Sequence, residues 1–147
     1  MPRVLIVGCG CRGRELASAL VAEGNVVRGT TRSPDAMEAI RATGAEPYLG
    51  DPDRIVTLMD ALSAVTVAVW LLGTVEAPHL HAGRLRMFCE KTVDTPVRGI
   101  VYEASVVSPG GIAEVEMAGD TWQIPIRVVE AGAPLAVLLN AVRELAT

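Results

Sequence analysis

The sequence has no run of lysine or arginine and no long apolar stretch. Its 13 Lys and Arg residues are outnumbered by 17 Asp and Glu residues, which gives a formal net charge of −4. A surface without a basic patch lacks the electrostatic feature that nucleic acids and anionic membranes bind. The longest apolar stretch, AVTVAVWLLG at 64–73, is about half as long as the roughly 20 residues of a membrane-spanning helix. We therefore expect neither nucleic acid nor a membrane as a partner, and we interpret this stretch as a buried strand.

Cysteine is scarce as well, with 3 residues in a chain of 147. An odd number of thiols, in a sequence that shows no signal peptide before its first apolar segment, is typical of reduced cysteines in the cytoplasm. Cys9 and Cys11 form a C-x-C pair and His79 and His81 an H-x-H pair, but zinc needs four converging ligands and the cysteines fall in a glycine-rich turn. We expect no metal site. Cys9 and Cys11 are interpreted as small side chains where bulk would obstruct a ligand, and Cys89 as a core residue.

The sequence does contain an unbroken alternation of strand and helix patterns. Half of the residues are hydrophobic and 20% are charged, which is typical of a compact chain. Alternation of this kind is typical of right-handed crossovers and a parallel sheet covered on both faces. We therefore predict an α/β, doubly wound parallel sheet of about six strands in a single domain over 1–147. The periodicity predicts strands over 3–8, 25–32, 45–49, 64–72, 98–105 and 124–130, and helices over 12–23, 34–43, 52–62, 78–92, 112–122 and 134–146.

Glycines at positions 8, 10 and 13 form the pattern G-x-G-x-x-G between the first predicted strand and the first predicted helix. In such a loop Gly8 permits a tight turn, Gly10 lets the backbone approach a pyrophosphate, and Gly13 allows close packing of helix on strand. The start of the helix, with Cys11 and Arg12, offers unpaired N–H groups and the positive end of its dipole to phosphates. The motif predicts a dinucleotide-binding loop. The alternative is a plain glycine turn.

The end of the second predicted strand indicates which dinucleotide is bound. A cofactor with a free 2′-hydroxyl is usually held there by an Asp or Glu, whereas a 2′-phosphate needs cationic and hydroxyl donors. This sequence has Thr31, Arg32 and Ser33 and no acid. Arg32 presents paired N–H groups to a phosphate, with Thr31 and Ser33 as further donors and Arg12 nearby in the loop. We predict NADP(H) in preference to NAD(H). The alternative is a solvated arginine beside a helix cap.

The glycine loop, with TTRSPDAMEAIRATGAEPYLGD and VTLMDALSAVTVAVWLL, resembles the atypical and extended short-chain dehydrogenase/reductases, a Rossmann-fold family that includes nitrogen-metabolite-repressor-like proteins and sugar-nucleotide epimerases. The segments VRGIVYEAS and WQIPIRVVEA are similar to the fifth and sixth strands of that family. The resemblance implies that Asp51 lies near the adenine, that Leu72 and Gly73 flank the adenosine ribose, and that Ser105 takes the place of the family's catalytic serine. Apart from the resemblance, Asp51 is equally a helix cap before Pro52, and Gly73 the end of a strand.

The sequence departs from that family in its catalytic residues. The family uses a tyrosine, and a lysine four residues later, on the helix after the fifth strand. The corresponding segment VVSPGGIAEVEMAGD has neither, the single lysine is Lys91, and Tyr102 falls in the fifth predicted strand. We also expect the family's substrate-binding extension after the sixth strand to be absent, because about 17 residues follow Glu130. We therefore expect the usual chemistry to be lost and the cofactor to serve sensing or regulation. The alternatives are a small reductase or epimerase that uses Ser105 and a histidine, His79 or His81, and an oligomerising module whose cofactor loop is vestigial.

The histidines and tryptophans also have plainer interpretations. His79 and His81 fall in the first turn of the predicted helix over 78–92, where we expect both to be exposed. Trp70 and Trp122 are expected to pack against apolar neighbours, with the cofactor cleft as an alternative for Trp122. Relatives use the helix that corresponds to this one in dimer contacts, so the resemblance implies a homodimer.

Overall fold

The computed structural model describes residues 3–146. Strands and helices follow one another in the predicted order, except that the helix predicted over 52–62 is absent. The strands are β1 (Arg3–Val7), β2 (Val26–Thr31), β3 (Glu46–Leu49), β4 (Val67–Trp70), β5 (Gly99–Glu103) and β6 (Ile126–Val129), and the α-helices are α1 (Cys11–Ala22), α2 (Met37–Arg41), α3 (Gly83–Lys91), α4 (Gly111–Trp122) and α5 (Leu135–Ala146).

These strands lie parallel in one six-stranded sheet, in the spatial order β3-β2-β1-β4-β5-β6. β1 occupies the centre, with Val4 opposite Val27 of β2 on one side and Val67 of β4 on the other. The chain reverses its direction of winding between β1 and β4, and open parallel sheets bind ligands outside the carboxyl ends of their strands at such a point. The prediction of a doubly wound α/β sheet is confirmed.

Helices cover both faces of the sheet. Consecutive side chains of a strand point to opposite faces, so Leu5 and Val7 pack on the side of α3 and α4 while Val4 and Ile6 pack on the side of α1 and α5. A strand covered on both faces is apolar throughout instead of alternating. This explains why each side chain of β4 is buried, as predicted for the long apolar stretch, although the strand itself is shorter than 64–72.

The predicted helix over 52–62 is wrong. The chain forms two short 3-10 turns there, Ile55–Leu58 and Asp60–Leu62. The hydroxyl of Thr57 accepts a hydrogen bond from the N–H of Asp51 at 2.8 Å and donates one to the carbonyl oxygen three residues before it at 2.7 Å. Such bonds to nearby backbone groups compete with regular helix. The apolar spacing still buries three of the side chains that suggested a helix, namely Ile55, Leu58 and Leu62.

The helix predicted over 34–43 is shorter than expected, because a 3-10 turn at Pro34–Ala36 precedes α2. The side chain of Ser33 makes no capping hydrogen bond. The backbone N–H of Ser33 instead donates to the hydroxyl of Thr31 at 3.1 Å. The predicted helix cap is therefore a local turn held by the preceding threonine.

The helix predicted over 78–92 is interrupted at Ala82. A 3-10 turn covers Pro78–His81, and Ala82 has φ −132° and ψ −108°, which lies outside the helical region. α3 begins only after this break. The break leaves His79 exposed and turns His81 into the protein, where it is buried. The expectation that both histidines are exposed is therefore wrong for His81.

The two tryptophans lie in different surroundings. Trp70 is fully buried, its ring centroid is 4.8 Å from that of Phe88, and its indole N–H donates to the carbonyl oxygen of Leu80 at 3.0 Å. Trp122 ends α4, the helix over the glycine-containing segment 112–122, and is only partly buried. It borders a groove at the amino ends of β5 and β6 and does not line the opposite, carboxyl edge of the sheet.

Candidate functional site

A cleft of about 580 Å³ opens at the carboxyl edge of the sheet. This volume is within the usual range for sites that bind small molecules and cofactors. The cleft is bounded by the first turn of α1 and by the loops after β1, β2, β3 and β4. It collects most of the predicted cofactor residues: Gly8, Gly10, Cys11, Arg12, Gly13, Thr31, Arg32, Asp51 and Leu72. Ser33, Gly73, Ser105 and His81 lie outside its lining.

The three glycines of the loop are in different steric surroundings. Gly8 has φ +88°, and a Cβ on it would approach Cδ2 of Leu72 to 2.6 Å. A Cβ on Gly13 would come within 3.2 Å of the carbonyl oxygen of Gly8, so the helix and the turn pack closely. A Cβ on Gly10 would meet nothing within 4 Å. Space is therefore kept open above Gly10, which fits the approach of a ligand's pyrophosphate to the backbone.

The amino end of α1 faces this open space and has no acidic residue in its own first turn. Gly10 precedes the helix, and no side chain caps it. The guanidinium of Arg14 adds positive charge and donates to Sγ of Cys11 at 3.3 Å. Unpaired N–H groups, a helix dipole and a nearby guanidinium together form an environment that stabilises phosphate.

The three cysteines divide into one exposed and two buried thiols. Cys11 is exposed in the cleft, whereas Cys9 and Cys89 are buried. Burial raises the pKa of Cys9 to about 11 and the pKa of Cys89 to about 12. The Cys9 side chain lies so close to Gly29 of β2 that a Cβ there would be 2.6 Å from the Cys9 sulfur. Gly29 is thus a packing requirement of the loop that sequence reasoning missed.

The end of β2 presents a cation to the cleft. Arg32 is exposed and lines the cleft beside Thr31. Asp51, on the loop after β3, lines the same cleft, and its Oδ1 accepts a hydrogen bond from the N–H of Asp53 at 2.9 Å. The structure thus brings together the guanidinium, the hydroxyl and the carboxylate that the sequence placed in one site.

Arg12 has a partner that the sequence did not predict. Its Nη1 donates to a carboxylate oxygen of Glu103, and its Nη2 donates to the carbonyl oxygen of Ala133 at 2.9 Å. Glu103 is fully buried and also accepts the N–H groups of Gly73 at 2.7 Å and Gly132 at 3.0 Å. A buried carboxylate with three donors connects the loops after β1, β4 and β6 to the end of β5. Arg12 is therefore engaged within the protein, and Gly73 packs against this network instead of lining the cleft.

His81 and Tyr102 form a buried pair beside the cleft wall. Nε2 of His81 lies 3.1 Å from the carbonyl oxygen of Leu72, and Nδ1 lies 2.6 Å from Oη of Tyr102. A carbonyl only accepts, so we assign the proton to Nε2 and the tyrosine hydroxyl as donor to Nδ1. Burial lowers the pKa of His81, and burial with the nearby Glu103 charge raises the pKa of Tyr102 to about 12. Both ring nitrogens are engaged in hydrogen bonds within the protein. The neutral histidine therefore holds Leu72, which lines the cleft, in position.

Ser105 follows β5 and is only 4% exposed. Its hydroxyl has no hydrogen-bond partner within residues 3–146, and the same is true of the buried hydroxyl of Ser108 in the same loop. Buried polar atoms in proteins are nearly always paired, so an unpaired buried hydroxyl indicates a partner from outside the chain, a water or a ligand atom. Ser105 follows the carboxyl end of β5 and lies outside the lining of the cleft.

Two further findings concern the described residues as a whole. In the range 3–146, no three side chains of His, Cys, Asp or Glu converge to hold a metal ion. The search over the same range finds no helix with the length and apolarity required to cross a membrane.

Comparison with known proteins gives limited sequence similarity. No protein-family model matches the chain. A stretch of 60 residues is 42% identical to the 4-hydroxy-2-methyl-3-oxo-4-farnesyl-3,4-dihydroquinoline-1-oxide ketoreductase of Stigmatella aurantiaca, covering 41% of this chain and 18% of the ketoreductase. The chain therefore spans less than a fifth of the length of this curated relative.

Solved structures share the fold more extensively. An anaerobillin reductase from Escherichia coli O157:H7 matches 99% of this chain and 90% of its own, with a TM-score of 0.75 and 14% identity. The Citrobacter sp. triphenylmethane reductase complexed with NADP(H) matches 85% of this chain and 48% of its own, with a TM-score of 0.69 and 17% identity. A short-chain dehydrogenase/reductase superfamily protein from Agrobacterium tumefaciens with bound NAD matches 87% of this chain and 48% of its own, with a TM-score of 0.63 and 21% identity. Several matched structures are thus about twice as long as this chain, and what all of them share with it is the α/β Rossmann-like fold.

Proposed function

We propose that the cleft binds NADP(H) and that the chain is a small NADP(H)-dependent reductase. The observation that carries this proposal is the open space above Gly10, at an uncapped helix terminus, in the same cleft as Arg32. An anionic dinucleotide matches both features, because its pyrophosphate needs backbone N–H groups and its 2′-phosphate needs a cation. The triphenylmethane reductase with NADP(H) and the curated ketoreductase support the same reaction class.

The proposed cofactor contacts follow the lining of the cleft. The backbone of Gly8, Gly10, Cys11 and Gly13 would hold the pyrophosphate, and Thr31 and Arg32 would hold the 2′-phosphate. Arg14 would add positive charge, a role for which the sequence suggested Arg12. Asp51 and Leu72 would border the adenosine. Ser33 and Gly73 would act indirectly, through the turn after Thr31 and through Glu103.

The chemistry proposed is reduction of a carbonyl group. A bound NADPH would supply the hydride for this reduction and would be oxidised to NADP⁺, and the carbonyl oxygen would receive its proton from solvent. We assign to Ser105 the hydrogen bond that polarises the carbonyl oxygen, because its hydroxyl is unpaired within the described chain. His81 is a positioning residue in this scheme, since both of its ring nitrogens are engaged.

A second candidate function is sensing of NADP(H) without turnover. The observation that favours it is the composition of α4, which contains no tyrosine and no lysine, while the hydroxyl of Tyr102 is held by His81. A protein of this kind would bind the dinucleotide with the same residues. It differs from the reductase in one measurable property, because it consumes no NADPH with any carbonyl compound.

The test is calorimetric titration of the purified protein with NADPH and NADH. Trp70 is buried and Trp122 lies at the other edge of the sheet, so tryptophan fluorescence is a poor reporter for this cleft. We expect NADPH to bind more tightly than NADH. Arg32→Ala should lower the affinity for NADPH by about tenfold or more and change the affinity for NADH little. Arg127→Ala, which alters an arginine beside the opposite groove, is the control.

Three results would contradict parts of this proposal. If neither NADPH nor NADH binds, the proposed function is wrong as a whole. Equal affinity for NADPH and NADH, or an unchanged NADPH affinity in Arg32→Ala, would remove the assignment of Arg32. Binding without NADPH consumption, even with reactive quinones and aldehydes, would select the sensor. If the reductase is correct, Ser105→Ala lowers kcat and leaves the affinity for NADPH unchanged.

A further inference from the structure

The loops that follow β4, β5 and β6 contain no basic residue. They cover 71–77, 104–110 and 130–134, and their only charged residues are Glu76 and Glu130. The first of them ends where the 3-10 turn Pro78–His81 begins. Because the strands are parallel, all three loops lie at the carboxyl edge of the sheet that holds the cleft. The first two pack directly together, since a Cβ on Gly73 would be 2.5 Å from the carbonyl oxygen of Ala104. These three loops thus provide no cation of their own.

The basic side chains of neighbouring segments are already paired with carboxylates. Arg12, which reaches these loops, binds the buried Glu103. The first turn of α4 contains Glu114, which opposes binding of an anion at that helix terminus. The other ion pairs near these loops are Arg84 with Asp53 at 3.1 Å, His79 with Asp53 at 3.2 Å and Arg86 with Glu114 at 2.6 Å. To bind one of these basic side chains, a substrate carboxylate or phosphate would have to displace a carboxylate of the protein.

The same loops expose apolar side chains. Val106 is 85% exposed and Val107 57% exposed, although each follows a strand whose residues are all buried. Val75, in the adjoining loop after β4, is 38% exposed and lines the cleft. Single exposed apolar residues are ordinary, but several of them on loops at one edge of the sheet indicate an apolar ligand. The cleft wall on this side is apolar as well, with Leu71, Leu72, Ala77 and Leu80.

The polar side chains of the loop after β5 are uncharged hydroxyls. Ser105 and Ser108 are in the loop with the exposed valines, and neither buried hydroxyl has a partner within residues 3–146. A hydroxyl pairs well with a carbonyl oxygen and offers much less to a carboxylate than an arginine does. Polar recognition here is therefore suited to one neutral oxygen on an otherwise apolar molecule.

Building on the proposed reductase function, we infer that the substrate is an uncharged, largely apolar ketone, aldehyde or quinone. Valines 75, 106 and 107 contact its apolar body, and the serine hydroxyls hydrogen-bond its carbonyl oxygen. Carboxylates, phosphates and nucleotide sugars are disfavoured because no free cation is available to them in these loops.

The test compares two probes that carry the same aldehyde, para-formylbenzoate and its methyl ester. Calorimetry measures the binding of each probe to the full chain saturated with NADP⁺, and a second assay measures reduction of each with NADPH. We expect the neutral ester to bind at least about tenfold more tightly than the carboxylate, because the carboxylate loses hydration without gaining a counter-charge. The ratio of kcat/KM values should favour the ester in the same direction.

A charge placed on the exposed loop should change this preference. Val106→Arg, and Val107→Arg as an independent variant, should strengthen binding of the carboxylate probe. Each should reduce the ratio of ester affinity to carboxylate affinity by about tenfold. Val93→Arg is the matched control, because Val93 is also exposed but borders the groove at the opposite edge of the sheet. It should leave the ratio unchanged. The affinity of each variant for NADPH, which is not expected to fall, verifies that its fold is intact.

The outcomes separate this inference from the proposed function. If NADPH and NADP⁺ do not bind, the proposed function fails and the inference fails with it. If the cofactor binds but neither probe does, or the carboxylate binds as tightly as the ester, the inference alone is overturned. It is also overturned if both valine variants leave the ratio at its original value. Preference for the ester, reduced by both variants and kept by Val93→Arg, supports it.

Discussion

The two halves of the carboxyl edge of the sheet differ in charge. The loops after β1, β2 and β3 provide Gly10, an uncapped helix terminus and the guanidinium groups of Arg14 and Arg32. The loops after β4, β5 and β6 provide no basic residue and expose Val106 and Val107. The division falls between β1 and β4, where the winding of the sheet reverses. The difference indicates that one half is built for an anion and the other for an uncharged molecule.

Glu103 connects the two halves. Its carboxylate accepts from Arg12 in the first half and from the N–H groups of Gly73 and Gly132 in the second. A buried charge with this many donors holds several loops in one arrangement, and removal of the charge leaves the donors unpaired. The relative position of cofactor half and substrate half thus depends on one side chain.

The largest effect is expected from Glu103→Leu, which removes that connection. The variant leaves the guanidinium of Arg12 without its carboxylate, and it leaves the buried N–H of Gly73 and the partly buried N–H of Gly132 without an acceptor. We expect the free energy of unfolding to fall by about 3 kcal/mol or more. Urea denaturation monitored by circular dichroism measures it.

The control for this variant is Glu23→Leu. Glu23 pairs with Arg143 through two hydrogen bonds on the surface, and exposed ion pairs contribute little to stability. Glu23→Leu should therefore lower the free energy of unfolding much less than Glu103→Leu does. Comparable destabilisation in the two variants would show that Glu103 does not connect the halves in the way described.

The next largest effect is expected from Gly10→Val, which acts on the first half alone. A Cβ on Gly10 meets no protein atom within 4 Å, so the fold should tolerate the change within about 1 kcal/mol. The added side chain occupies the space proposed for the pyrophosphate, and the affinity for NADPH should fall by more than about tenfold. Calorimetry and urea denaturation measure the two quantities separately.

Gly110→Val is the matched control in the second half, because Gly110 also has open space around its Cβ position. It should leave NADPH binding unchanged. An unaffected NADPH affinity in Gly10→Val would mean that the glycine loop is not the pyrophosphate site, and the contrast between the halves would lose its basis.

The smallest effect is expected from pH, through His81 at the border of the halves. Burial lowers the pKa of His81 in the folded protein, so the unfolded chain takes up the proton more readily. The stability is therefore fully present above the ordinary histidine pKa of about 6.5 and decreases as the pH falls below it. Urea denaturation at about pH 7.5 and about pH 5.5 should show this loss in the wild type.

The second histidine provides the control for this titration. His79 is exposed, and His79→Gln should keep the decrease in stability at low pH. His81→Gln should reduce it, because the titrating imidazole is gone. If the two variants show the same pH dependence, the buried His81 is not the group responsible.

The order of strands and helices was predictable because each element carries its own local pattern. An apolar run such as 64–73 indicates a strand buried on both faces, and the glycine spacing at 8, 10 and 13 indicates a turn between strand and helix. Where side chains bond to nearby backbone groups, as Thr57 does, the apolar spacing of a helix remained although the helix did not form. That residues 1–147 form a single domain, and that α3 takes part in a homodimer, stay predictions.

Contacts between distant residues were not predictable in the same way. Arg12 and Glu103 are separated by 91 positions, and the sequence offered phosphate as the partner of Arg12. Glu103 lies within the predicted strand over 98–105, and a charge at such a position is a signal that it needs a buried partner. The inward turn of His81 likewise depends on a break at Ala82 and on Tyr102 of a neighbouring strand.

The sequence by itself determined the α/β alternation, the glycine loop, and the composition of each loop, including the absence of basic residues after β4, β5 and β6. These properties are local, since they depend on periodicity and on residues a few positions apart. Only the tertiary structure decided which arginine is free for a phosphate, which histidine is buried, and which hydroxyls lack a partner. Those properties depend on neighbours that the sheet brings together from distant parts of the chain, and burial makes each such pairing energetically important.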